Sequence, residues 1–148
     1  MRTRDARTIL EILPQIDKYC ECIAKANTAR AIQSYSLDWG ETYRIMETII
    51  DKTYKSQVLH NLKIKVMKQL EGAPPKTKKV IELFFIERKK KTAVAKTLDI
   101  SERTLFRAAE NAVEWFAKNL DACGVTEDAY RRLLADYNWI RSVHQQFA

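Results

Sequence analysis

The sequence predicts an all-α fold, a helical bundle containing a helix-turn-helix, and three observations carry that reading. Only 3 Gly and 3 Pro occur in 148 residues, well below the roughly 7% Gly and 5% Pro of average usage. Turn formers are therefore too sparse for a β-sandwich or barrel. Apolar residues recur at intervals of three and four, the period of a helix face. Side chains suited to N-caps, such as Asp38, Ser101 and Thr126, stand just ahead of periodic stretches. Hydrophobic residues make up 46% and charged residues 30%, a globular balance, and the length suits one ordinary domain.

The elements follow in order. Ile9, Ile12, Leu13, Ile16, Tyr19, Cys20, Ile23, Ala26 and Ala29 predict a first helix over residues 8–32. Pro14 either kinks it or occupies the first turn of its main part. Residues 34–37 read as a connection. Asp38 begins a second helix, with Glu41 three residues on in a capping-box-like arrangement, and Tyr43, Ile45, Met46, Ile49 and Ile50 on its apolar side. A third helix is expected from about Ser56, with Val58, Leu59, Leu62, Val66 and Leu70 on one stripe. Gly72 ends it, and Ala73-Pro74-Pro75 is the clearest linker. Val80, Ile81, Leu83, Phe84 and Phe85 then mark about three helical turns. A short helix over 92–98 and a longer one over 102–119, capped by Ser101, come next. Gly124 closes that region. Thr126, with Glu127 and Asp128, opens a last helix whose buried side carries Tyr130, Leu133, Leu134, Tyr137, Ile140, His144 and Phe147. The expected organisation is an N-terminal helical module (1–72), a helix-turn-helix domain (76–120) and a C-terminal helix (126–148) packing on the domain or on a partner.

The net charge is +7 and it is unevenly placed. Residues 76–107 hold 10 basic and 4 acidic side chains, whereas 108–148 hold 4 and 6. A localised basic patch on a balanced protein is the footprint of a polyanion partner.

Within that stretch lies Thr92-Ala93-Val94-Ala95-Lys96-Thr97-Leu98-Asp99-Ile100-Ser101-Glu102-Arg103-Thr104-Leu105-Phe106-Arg107-Ala108. Two helices crossing over a short turn need a small residue at closest approach, and Ala95 supplies it. Val94, Leu98, Ile100, Leu105 and Ala108 are expected to form the core between them. Asp99 stands where the turn needs a left-handed conformation. The outward face of the second helix then carries Glu102, Arg103, Phe106 and Arg107, the expected base-reading residues. Lys76, Lys78, Lys79, Lys89, Lys90, Lys91 and Lys96, with Thr92 and Ser101, are the expected phosphate contacts.

From about residue 70 to 120, the chain resembles the promoter −35-recognition domain (region 4) of sigma-70-type factors and the phage regulators that share it. The resemblance rests on Pro75-Lys76-Thr77-Lys78-Lys79-Val80-Ile81-Glu82-Leu83-Phe84-Phe85-Ile86-Glu87, then Val94-Ala95, Leu98, Ile100-Ser101 and Thr104-Leu105. It implies a small helical domain whose last helix reads a duplex, with base-reading positions on Glu102, Arg103, Phe106 and Arg107. Asp99 departs from the family's usual turn glycine. The N-terminal half lacks a recognisable core-binding and −10-melting pattern, so a regulator on the same DNA reader is favoured over a complete sigma factor. The organisation is similar to late-gene regulators of phages and prophages in Gram-positive bacteria. The implied partners are double-stranded DNA and, on this resemblance, RNA polymerase. A minimal sigma factor, a small terminase subunit of a phage packaging machine and a pure interaction module stand as alternatives.

Other classes lack their equipment. No Gly-rich phosphate loop, His-Glu-x-x-His or Gly-x-Ser-x-Gly occurs, so neither enzymatic activity nor a cofactor is expected. Cys20, Cys22 and Cys123 match no disulfide framework, and no metal site is expected. No apolar run is long enough to span a membrane and no secretory leader is recognisable, so a cytoplasmic location is expected. Trp115, Phe116 and Leu120 face either the C-terminal aromatics or, as an alternative, a homodimer partner or RNA polymerase.

Overall fold

The computed structural model describes residues 2–147. Among them it contains seven α-helices and no strand: α1 (Thr3–Ser34), α2 (Trp39–Glu71), α3 (Pro75–Val80), α4 (Lys91–Leu98), α5 (Glu102–Asn119), α6 (Glu127–Asp136) and α7 (Asn138–Gln146). A π-helical segment, Ile81–Ile86, continues α3, and a 3₁₀ turn, Asp121–Cys123, follows α5. The all-α expectation is met. Among the described residues, no helix is long and apolar enough to cross a membrane.

Three elements differ from the sequence reading. The expected second and third helices are one 33-residue helix, α2, because no Gly or Pro lies between Gly40 and Gly72 to interrupt it. Asp38 Oδ1 accepts from the Glu41 N–H at 2.9 Å and caps its start, as expected. Pro14 lies inside α1, where its missing N–H leaves the Leu10 carbonyl without a helical donor. The last helix is broken at Tyr137, whose backbone is extended (φ −126°, ψ 103°). Arg141, on α7, donates from Nε to Leu134 O (2.9 Å) and from Nη2 to Ala135 O (3.2 Å), satisfying the carbonyls that the break exposes.

The chain forms two compact units. One combines the described residues through Pro14 with those from Ile64 onward, and the other is residues 15–63. This differs from the expected division at Pro74-Pro75. Ala6, Ile9, Leu10, Ile12 and Leu13 of α1 are fully or almost fully buried, so the first turns of the chain belong to the core of the larger unit. Gly72 and Ala73 only turn the chain, with N–H groups bonded to Gln69 O and Leu70 O, before Pro75 opens α3.

In the larger unit, Val80, Ile81, Phe85, Leu105, Val113, Phe116, Leu120, Tyr130, Leu133, Tyr137 and Ile140 complete the core. Phe116 and Leu120 are 0% exposed, so the protein's own core covers them. Trp115, Leu134, His144 and Phe147 are half-buried. Polar ties fasten α1 to this unit: Arg4 donates to His144 O (3.2 and 2.9 Å), and Arg88 meets Glu11 Oε2 at 2.8 Å.

The smaller unit is an antiparallel helical hairpin. Thr42 Oγ1 donates to Ser34 O (3.1 Å) beside the turn, Asn27 Nδ2 to Thr53 Oγ1 (3.2 Å) midway, and Lys63 pairs with Asp17 at the other end.

In the larger unit, His144 is held by burial and by its neighbours. Its Nδ1 lies 2.6 Å from the Tyr130 hydroxyl and 3.8 Å from Asp5 Oδ1. Burial first, then the Arg4 charge, holds its pKa below the ordinary 6.5, with Asp5 opposing. The folded protein therefore protonates His144 less readily than the unfolded chain. The resulting stability is intact above about pH 6.5 and is lost as pH falls through the folded-state value. Urea midpoints should drop on acidification across that window, and His144→Gln should flatten the drop. An unchanged slope in the variant would contradict this assignment.

Candidate nucleic-acid interface

Backbone chemistry builds the corner between α4 and α5. Asp99 sits in the left-handed region (φ 55°, ψ 47°), which an Asp tolerates better than most residues. Its N–H bonds to Lys96 O (3.2 Å), and the Ile100 N–H reaches back to Ala95 O (3.0 Å). That pair of bonds is a Schellman closure, satisfying carbonyls that the end of α4 would leave bare. Ser101 is extended (φ −72°, ψ 157°), and its Oγ accepts from the Thr104 N–H at 3.2 Å. One helix is therefore stopped and the next started within three residues.

A small apolar cluster holds the corner. Val94, Ala95 and Leu105 are buried, and Leu83, Phe84, Leu98 and Ile100 pack on them. Ala108, expected in this cluster, is half-buried, and the buried alanine is Ala109. The π-helical segment supplies Leu83 and Phe84. Its wider turn shows in the Glu87 N–H bonding to Glu82 O at 2.8 Å, five residues back. Arg88 then adopts a left-handed conformation (φ 52°), ending that helix and pointing its guanidinium at Glu11.

With Leu105, Ala109, Ala112, Val113, Phe116 and Ala117 buried, the opposite face of α5 is turned to solvent. It carries Arg103, Thr104, Arg107 and Asn111, all exposed. Neither arginine has an ion-pair partner among the described residues. Lys76 and Thr77 of α3 line a shallow depression with Thr104, Arg107 and Asn111, so Lys76 joins this face. Glu102 is exposed in the first turn of α5.

The remaining predicted residues sort themselves by geometry. Lys79, Lys90, Thr92 and Lys96 are exposed. Lys89 is paired with Glu87 at 3.4 Å. The Ser101 hydroxyl is engaged with the Thr104 N–H and lies 2.9 Å from Thr104 Oγ1. Lys78 is on the other side of α3, half-buried beside Met67, Leu70 and Glu71, and does not join the arginines. Phe106 borders a different depression. It is 47% exposed and walls a cleft of about 410 Å³ with Arg7, Phe84, Phe85, Lys91 and Val113. Lys91 Nζ stands 4.5 Å above its ring, a cation–π contact. The sequence reading missed Thr104 and Asn111, although Arg103, Arg107 and Asn111 follow a plain four-residue helical spacing.

Among the described residues, no group of three or more His, Cys, Asp or Glu side chains could hold a metal ion. The three cysteines are free. In comparisons with known proteins, the chain matches no family model, no curated protein and no solved structure.

The corner itself is testable by stability. Asp99→Val, which places a β-branched residue at positive φ, should cost about 1–2 kcal/mol, whereas Asp99→Gly should be neutral or stabilising. Ser101→Ala should cost about 1 kcal/mol through the lost cap. Denaturant melts of the three variants check the order.

Proposed function

We propose that this chain is a sequence-specific double-stranded DNA-binding transcription regulator, reading base edges through a sigma-region-4-like helix-turn-helix formed by α4 and α5. The observation that carries the reading is the solvent-facing pair Arg103 and Arg107, at the capped start of α5 and free of ion-pair partners among the described residues. Exposed arginines without a carboxylate to neutralise them suit a bidentate acceptor from outside, and guanine O6 and N7 are such an acceptor. Four helical residues advance about 6 Å, so the two side chains address bases nearly two steps apart. Glu102, in the first turn, is placed to accept from a cytosine amino group.

The surrounding cations supply affinity rather than sequence discrimination. Lys76 lies beside Arg107, and Lys79, Lys90, Lys96 and Thr92 add exposed donors on α3, α4 and the connection ahead of α4. Their role is phosphate neutralisation, which fixes register and makes binding salt-dependent. Phe106 holds Lys91 and walls the neighbouring cleft instead of reading a base. The transcriptional role rests on the sequence resemblance, in which the helix ahead of the corner matches as well as the corner does.

Selecting duplexes from a random pool tests the reading. A preferred site should emerge, and Arg103→Ala or Arg107→Ala should each cost about 1–3 kcal/mol at one position of it. Lys90→Ala and Lys96→Ala should weaken all duplexes alike and each lower the salt slope by about 1. An unchanged site preference in the arginine variants, or no duplex binding at low salt, would overturn it.

A further inference from the structure

The helical hairpin of residues 15–63 has more apolar surface than its own contacts use. From residue 17 to residue 58 no side chain is fully buried. Ile23 and Ala26 of α1, with Ile45 and Ile49 of α2, are half-buried. A second apolar stripe on α2 is exposed: Trp39 is 79% exposed, Tyr43 55%, Met46 49%, Ile50 66% and Tyr54 68%. The spacings are four, three, four and four residues, which confines the stripe to an arc of about 80° on the helix. Ile32 and Tyr35, near the hairpin turn, are exposed as well.

We infer that this stripe is the seam of a homodimer, in which the α2 stripes of two copies of this chain pack against each other. Three features identify the occupant. The mixed three- and four-residue spacing is close to that of a coiled-coil seam, so the surface it fits is another helix with a like repeat. The five exposed side chains of the stripe offer roughly 700 Å², close to the about 800 Å² that each partner contributes to a standard interface and beyond the usual patch on a monomer. From Tyr43 to Tyr54 the stripe is also nearly symmetric about residue 48. A two-fold axis there sets Met46 against the partner's Ile50 and Tyr43 against the partner's Tyr54, so one surface fits itself as an isologous contact requires. Dimerisation gives the hairpin the interior it otherwise lacks, and it requires nothing of the DNA reading.

Sedimentation equilibrium of the full chain without DNA, from about 1 to 100 µM, is the test. The expected result is a concentration-dependent species of twice the 17.3 kDa chain mass. Tyr43→Glu with Ile50→Glu should weaken association at least about 100-fold while helicity by circular dichroism is retained, because both positions are exposed. Lys18→Glu, an exposed change on the same hairpin, should leave association unchanged. In a chain with Cys20, Cys22 and Cys123 replaced by Ser, mixing a Met46→Cys chain with an Ile50→Cys chain should give a cross-linked dimer in preference to either chain alone. A monomer throughout the range, a dimer that survives the Glu substitutions, a larger ring, or a monomer that instead sediments with anionic vesicles would overturn the inference.

Discussion

Burial of one stripe of α5, from Leu105 to Leu120, is the constraint on which the remainder depends. Alanines at 109, 112 and 117 let other helices approach closely, while Val113, Phe116 and Leu120 fill the interior. Once that stripe is committed to the core, helix geometry leaves no choice about the opposite one. Arg103, Thr104, Arg107 and Asn111 must face water. At roughly 25 cal/mol per Å² of apolar area, the larger buried side chains are each worth about 1.5–3 kcal/mol, so rotating α5 to hide its arginines is far out of reach.

The corner ahead of α5 converts this burial into a defined presentation. Schellman bonds at Asp99 and Ile100 end α4, and the Ser101 cap begins α5 with no slack between them. Leu83 and Phe84, carried by the π-helical segment, press on the corner from behind. The same segment ends at Arg88, whose bond to Glu11 ties it to the first helix. Local backbone chemistry and long-range packing thus agree on one orientation of the arginine face. That agreement holds the arginine face in one orientation.

Much of this was legible in the sequence, and what was not has physical reasons. The helical class, a short helix over 92–98 with a longer one behind it, the Ser101 and Thr126 caps and the left-handed Asp99 follow from local rules of capping and periodicity, and the structure contains each of them. The continuity of α2 was misread because Ile45 and Ile49 point one way and Tyr43, Met46 and Ile50 another, so two apolar faces blurred the periodic signal that one face would have given. The break at Tyr137 carries no Gly or Pro and is stabilised by Arg141, a contact between separate helices that no local pattern announces. At the candidate site, the contact of Phe106 with Lys91 borders a cleft partly built by Arg7, nearly a hundred residues away. Lys78 was grouped with its neighbours by sequence, yet a one-residue offset on a helix is a turn of about 100°. The long-range docking of the first turns of α1 onto the larger unit was likewise invisible, since residues 6–13 look like any amphipathic start.

The most direct measurement is arginine side-chain NMR on an isotope-labelled chain titrated with its selected duplex. The account predicts that the Nε–Hε resonances of Arg103 and Arg107 shift together and gain protection from exchange, while those of Arg131 and Arg132 on α6 stay in place. Shifts confined to α6 or to the helical hairpin, with Arg103 and Arg107 unmoved, would contradict it.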